Sequence, residues 1–325
     1  MTVTVLGAGS WGTALAILVA RNGNDVVLHG RDADHLSSIG SLRENLQYLP
    51  GFVIPDNVRV VSESELMESD LWIVAVPSSG VREEIGKIKG DSPQIVIASK
   101  GLEPGTAKTM AEVVQDGIQH AAISALSGPN LAVEIVRGVP TAAVVASKDL
   151  AFADRARNAF MCKSYRVYTS DDVMGVELAG SLKNVLAIGA GISDGLGYGN
   201  NTKGALLARG LYEITELGAK MGGRRETFMG IAGVGDLFAT ASSNLSRNYR
   251  VGFAVGEGKS LSETLELIGQ VAEGVNTAEA AVVLARRNGV QAPIMEAIDS
   301  VLKGRMRALD AVNLLMERMP RSEVS

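Results

Sequence analysis

The chain begins with a β-branched run, Thr2-Val-Thr-Val-Leu6. It passes directly into Gly7-Ala-Gly9-Ser-Trp-Gly12 and then into Thr13-Ala-Leu-Ala-Ile-Leu-Val-Ala20. Strand, three glycines at the G-x-G-x-x-G spacing and an Ala-rich helix stand in the order a dinucleotide site requires. Gly7 permits a tight turn, Gly9 lets the backbone approach a pyrophosphate, and Gly12 allows the helix to pack closely on the strand. Ser10 and the following N–H groups then face the phosphates at the positive end of the helix. Placement between a strand and a helix is what makes the spacing specific.

Unalternated apolar runs recur through the first half: 25–30, 71–76, 94–98, 121–126, 141–146 and 165–168. Such runs fit a mostly parallel sheet covered on both faces. Several end in polar, Gly-bearing loops, among them Pro77-Ser-Ser-Gly80, Ser99-Lys100-Gly101 and Ser127-Gly-Pro-Asn130. After about Ser170 only helical spacing follows, in 173–194, 203–221, 224–230, 261–271, 277–288 and 294–302. The expected architecture is α/β: a Rossmann-like, doubly wound domain over 1–171 and an all-helical domain over 172–325. A length of 325 residues suits two such domains.

Composition narrows the function. With 46% hydrophobic and 21% charged residues the chain reads as an ordinary globular protein. A net charge of −5 without a basic stripe gives no footprint for nucleic acid. Cys162 is the single cysteine, which excludes an intrachain disulfide and reads as a small core hydrophobe. His29, His35 and His120 are widely spaced and make no metal constellation. The N-terminus is a strand rather than a signal peptide. No apolar run is read as long enough to span a bilayer. A cytoplasmic protein without membrane insertion is expected.

The acidic residue that commonly binds a ribose diol is absent from the second strand end, Leu28-His29-Gly30-Arg31, and Asp32 follows one step later. Arg31 there can hold a 2′-phosphate, stack on adenine, or be an exposed loop residue. In the second half, Lys183 is the only cation in the apolar, small-residue stretch from Leu178 to Gly191. Burial would lower its proton affinity and suit it to acid–base work; alternatively its amine snorkels to the surface. Asn184 beside it has no evident structural task. Asp236, in a glycine-rich turn, can cap the next helix or hold Lys183. The cluster Ser246-Arg247-Asn248 can bind a phosphate through arginine and a helix-start serine, or form a solvated helix N-terminus.

These segments together resemble bacterial-type NAD(P)-dependent glycerol-3-phosphate dehydrogenase, in order and over nearly the whole chain. The resemblance is carried by Gly7–Ala14, Asn45-Leu-Gln-Tyr48-Leu-Pro50, Ser99-Lys100-Gly101-Leu102 and Ser127-Gly-Pro-Asn-Leu-Ala132. It continues through Leu178–Asn184, Gly233-Val-Gly-Asp236, Ser246-Arg-Asn248 and Gln270-Val-Ala-Glu-Gly274. It implies reversible hydride transfer between NAD(P)H and dihydroxyacetone phosphate, giving sn-glycerol 3-phosphate for phospholipid synthesis, in a homodimer. Cofactor contacts are implied for Ser10, Trp11, Arg31, Tyr48, Lys100, Ala132, Arg247, Val271 and Glu273, beside the glycine turn. Lys183 is implied as the catalytic acid/base, with Asp236. Lys100, Gly128, Asn130, Lys183, Asp236, Ser246, Arg247 and Asn248 are implied to line the substrate site.

Two departures stand out. The family commonly has Ser or Thr where this chain has Asn130, which predicts altered contact geometry rather than lost function. His29-Gly30 replaces an aromatic-bearing strand end and leaves the adenosine contacts open. Two other readings compete. A β-hydroxyacid or ketopantoate-type reductase would need a carboxylate-binding Ser/Thr set in place of 246–248. A non-catalytic NAD(P)H-sensing protein on the same fold predicts a degraded catalytic helix, yet Lys183 and Asp236 are both present.

Overall fold

The computed structural model describes residues 1–269 and 271–319; Gln270, within one of the motifs above, and residues 320–325 lie outside it. Ten strands are found among the described residues: β1 (Thr2–Leu6), β2 (Asp25–His29), β3 (Glu44–Asn45), β4 (Leu49–Val53), β5 (Val58–Val61), β6 (Leu71–Val74), β7 (Gln94–Ile97), β8 (Ala122–Ser127), β9 (Thr141–Ser147) and β10 (Tyr165–Ser170). Eight form one sheet in the order β10-β9-β8-β7-β6-β1-β2-β5, and β3 pairs with β4 in a separate hairpin. Every pairing in the large sheet is parallel except β8 with β9. β1 lies between β2 and β6, so successive crossovers leave it in opposite directions. That reversal opens a crevice beyond the C-terminal end of β1, where the Gly7–Gly12 turn sits.

The sheet is buried on both faces, as the unalternated strands require. Val3, Val5 and Leu28 pack under the helix Ser10–Arg21, against Leu15 and Leu18. Leu6, Val74 and Ile97 pack on the opposite face against Val113 and Val114 of the helix Met110–Gly117. Each such side chain contributes about 1.5–3 kcal/mol of burial. Two strand elements were not foreseen, the edge strand β5 and the β3–β4 hairpin. Asn45 of the hairpin is fully buried and donates from Nδ2 to Ala8 O (2.9 Å) and Thr13 Oγ1 (2.8 Å). It thereby braces the glycine turn from outside.

β10 ends at Ser170, and the 23-residue helix Val173–Gly195 begins after the N-cap Asp172. Asp172 accepts from Gly175 N, Arg224 N and Thr227 Oγ1, tying the helix start to the segment at 224–227. No strand follows among the described residues. By length and composition Val173–Gly195 is apolar enough to cross a membrane, which corrects the expectation that no run reaches that size. Its side chains are nearly all buried in protein, and it is the central core helix of the second half. The foreseen helical runs form with shifted ends, the helix starts read at Asp236 and Ser246 become Asp236–Ala241 and Arg247–Gly256, and a π-helical turn at Ile231–Gly235 and the helix Ala308–Met316 are added.

Helix Arg247–Gly256 crosses the core helix with the two backbones almost touching. A Cβ on Gly252 would lie 1.9 Å from Ile188 O, and one on Gly256 would lie 2.5 Å from Ile192 O. Cβ atoms on Gly191 and Gly195 would each come within 2.2 Å of a carbonyl oxygen, those of Tyr249 and Phe253. Glycines one turn apart on both helices therefore make the crossing. The seam presses the 246–248 cluster against the helix that carries Lys183.

Candidate active site

At the sheet end of the cleft, two of the three glycines of the turn have a steric reason. Gly7 has φ +119°, and a Cβ there would lie 2.7 Å from Ala75 O. A Cβ on Gly12 would lie 1.8 Å from Gly7 O. Gly9 is different: nothing lies within 4 Å of where its Cβ would be. As N-cap of the helix Ser10–Arg21 it supplies no side-chain acceptor, so the first N–H groups of the helix are left for another partner. Open space on Gly9 and uncapped donors beside it fit a pyrophosphate.

Around this cradle Trp11 donates its indole N–H to Ala98 O at 3.0 Å, fixing the helix start to the end of β7. Arg31 is exposed beyond β2 and makes no ion pair among the described residues. Asp32 accepts from His35 N as the N-cap of the helix Ala33–Leu42, so this carboxylate is used as a helix cap. Tyr48 is half-buried, with its ring edge-on to His35 at 5.2 Å. Ala132 opens the short helix Ala132–Val136 beside the Gly128–Asn130 loop.

Across the cleft two lysines share one carboxylate. Lys183 is buried and donates from Nζ to Asp236 Oδ1 at 3.0 Å and to Thr240 Oγ1. Lys100 donates to Asp236 Oδ2 at 2.8 Å and to Gly128 O at 2.7 Å. Asp236 is itself buried, and it holds Lys183 rather than capping its helix. Burial pushes the Lys183 ammonium down to about 8, and Lys100 pushes the same way, while Asp236 opposes them. A lysine so placed changes protonation near physiological pH, unlike an ordinary surface lysine. The snorkelling alternative is excluded by its burial.

Ser246 is the N-cap of Arg247–Gly256 and accepts from Tyr249 N. Ser246 and Asn248 are both buried, so this is not a solvated helix end. Asn248 donates to Asn184 Oδ1 at 2.9 Å and accepts from Gly274 N at 2.9 Å. Asn184 in turn donates to Lys100 O, so these amides form a strut between four segments. Arg247 is half-buried and has no hydrogen-bond or ion-pair partner among the described residues. Desolvation lowers its proton affinity, and the charge of Glu273 partly restores it. A guanidinium left unpaired at a helix start is suited to an anion.

Three contributors were not foreseen. Ser78, after β6, donates from N (3.0 Å) and Oγ (2.6 Å) to the carboxylate of Glu273, closing the cleft at its far side. Val271, two residues before Glu273, is exposed. Thr240 holds Lys183, and Tyr165 donates its hydroxyl to Asn130 Oδ1 at 2.8 Å. The other end of that amide, Asn130 Nδ2, is buried with no partner. An unpaired buried donor costs about 1–3 kcal/mol, so its persistence calls for a role. These pairs span long stretches of chain and leave no local spacing to read; only the polar loop at 77–80 hinted at Ser78.

A cofactor crevice at a strand-order reversal, faced by a buried lysine–carboxylate pair, defines an oxidoreductase that works with a nicotinamide dinucleotide. Models of the NAD-dependent glycerol-3-phosphate dehydrogenase N-terminus and C-terminus match residues 2–153 and 172–313. The chain belongs to that family. It is 45% identical over 329 residues to the glycerol-3-phosphate dehydrogenase [NAD(P)+] of Thermoanaerobacter sp., covering 100% of this chain and 99% of the relative. It is 43% identical to the enzyme of the same name from Aromatoleum aromaticum, covering 99% and 100%. The solved glycerol-3-phosphate dehydrogenase of Coxiella burnetii is 36% identical, with a TM-score of 0.93 over 98% of this chain and 99% of that one. A PanE/ApbA family ketopantoate reductase from Ralstonia eutropha, 17% identical with a TM-score of 0.58, shares the fold alone.

Proposed function

We propose that the chain catalyses the reversible NAD(P)H-dependent reduction of dihydroxyacetone phosphate to sn-glycerol 3-phosphate, with Lys183 as general acid/base. The carrying observation is the Lys183–Asp236–Lys100 arrangement, whose Lys100 lies two residues beyond Ala98, where Trp11 of the glycine turn is anchored. A dinucleotide held in the Gly7–Gly12 cradle would supply the hydride for reduction of the ketone. As negative charge builds on the carbonyl oxygen, Lys183 donates its proton to it from Nζ. In the oxidation direction the neutral amine removes the hydroxyl proton. Such a group contributes about 10²–10⁴-fold in rate. Asp236 orients the ammonium and keeps its proton affinity near the working range.

Arg247 takes the substrate phosphate in this reading, away from the reacting carbon, while Ser246, Asn248, Gly128 and Asn130 shape the remaining wall. Gly7, Gly9, Ser10 and Gly12 cradle the pyrophosphate, and Trp11, Arg31, Tyr48 and Ala132 border the cofactor. Lys100, Val271 and Glu273 lie toward its nicotinamide end. Residues 1–171 bind the cofactor and 172–325 the substrate in a cytoplasmic homodimer without membrane insertion, whose product serves phospholipid synthesis. The membership of Val173–Gly195 in the core supports the absence of insertion. Oxidation of NADPH on addition of dihydroxyacetone phosphate is the deciding assay. Turnover of a 2-keto acid instead of the triose phosphate would overturn the reading.

A further inference from the structure

The loop at 128–130 is held at three successive residues by three different elements. Gly128 O accepts from Lys100 Nζ at 2.7 Å, and Pro129 O accepts from Thr141 Oγ1 at 2.9 Å. Asn130 Oδ1 accepts from the Tyr165 hydroxyl at 2.8 Å. Tyr165 opens β10, pairs with Thr141 of β9, and is almost wholly buried in the sheet core. Its ring therefore has no freedom to follow the loop. Burial, reinforced by the charge of Asp236, raises its phenol far above ordinary pH, so the oxygen stays protonated and acts as donor. In the structure it is the carbonyl end of the carboxamide that faces this hydroxyl. The NH₂ end must then face away, and it is this atom that lacks a partner.

We propose that Tyr165 is a positioning residue for the substrate wall: its hydroxyl locks the Asn130 carboxamide so that Nδ2 is presented as a donor to an oxygen of the bound triose phosphate. The inference rests on the reading given under Proposed function. A single hydroxyl would have to accept from Tyr165 and donate to substrate through one atom, whereas the amide divides the tasks between two. Within residues 128–130, Nδ2 of Asn130 is the side-chain polar atom left without a partner and so open to a ligand.

The test is steady-state kinetics on the full chain with Tyr165→Phe, Asn130→Ala and the double variant, with melting curves to confirm folding. Tyr165→Phe keeps the buried ring and removes only the hydroxyl. It is expected to raise KM for dihydroxyacetone phosphate by about 3- to 10-fold, with a smaller change in kcat and unchanged NADPH binding. In the Asn130→Ala background the same change should have no further effect on KM, because nothing remains to be oriented. An unchanged KM in Tyr165→Phe overturns the proposal, as does an equal rise in both backgrounds, which marks a packing effect. Wild-type protein inert toward dihydroxyacetone phosphate would instead sink the functional reading, and this inference with it.

Discussion

The two walls of the cleft recognise their ligands by opposite means. The sheet wall presents backbone: an open Gly9, uncapped N–H groups, and glycines whose absent side chains make the turn. The helical wall presents charge held by side chains: its Asp236 holds Lys183 and reaches Lys100 of the sheet half, and its Arg247 is left unpaired. A backbone cradle is general, because any dinucleotide offers the same pyrophosphate. A buried charge set is particular, because each group must be desolvated and compensated for one substrate shape. Generality sits in the half whose code is local, and specificity in the half assembled over distance.

The sharpest way to separate the walls is Lys183→Ala. It should cost about 10²–10⁴-fold in kcat while leaving NADPH affinity intact in a fluorescence titration. Retained turnover would refute the assignment. Gly12→Ala should do the reverse: with its Cβ driven against Gly7 O, NADPH affinity should fall by at least about 10-fold. Binding equal to wild type would mean the turn adapts, and the cradle account would fail.

A third break of the comparison uses pH. Reduction needs protonated Lys183, so kcat/KM for dihydroxyacetone phosphate should fall as pH rises through about 8, and oxidation should gain over the same range. Asp236→Asn removes the group that holds that value up, so the limb should move to lower pH. A limb that stays put would separate Asp236 from the proton step.

The smallest effect concerns stability where the two halves meet. Glu177 of the core helix is buried, accepts from Ala111 N at 2.9 Å, and is pushed up to about 7 by burial. Between the ordinary carboxyl value and 7 the folded protein keeps a proton that the unfolded chain releases. Stability should therefore decline as pH rises through that window. Glu177→Gln should flatten this decline and raise stability at pH 8 by about 1–3 kcal/mol, read from denaturant melts. An unchanged slope would show that Glu177 is not the group responsible.

What the sequence disclosed follows the same division. The glycine turn and the strands around it were legible because strand, turn and helix are contiguous. The pairing of Lys183 with Asp236 joins residues 53 apart, and that of Ser78 with Glu273 joins residues 195 apart. No periodicity marks such pairs, so Lys183 was open to two readings until burial decided. The start of helix Arg247–Gly256 was legible at Ser246, but its extent was not, because Gly252 and Gly256 disfavour a helix locally. Only its packing on the core helix accounts for them. β5, Val58–Val61, was hidden by brevity and by the exposed Arg59 in its middle.

The glycine seam between those two helices has a consequence for what the enzyme accepts. Lys183 rides on one helix and Arg247 on the other, and backbone meets backbone where they cross. No side chain at the crossing can repack to let one slide past its neighbour. With Lys183 as the proposed proton donor and Arg247 as the proposed phosphate handle, this crossing would make the gap between them a gauge for one length of carbon chain. A phosphorylated ketone one carbon longer would have to fit the gauge, because the gauge cannot open to fit it.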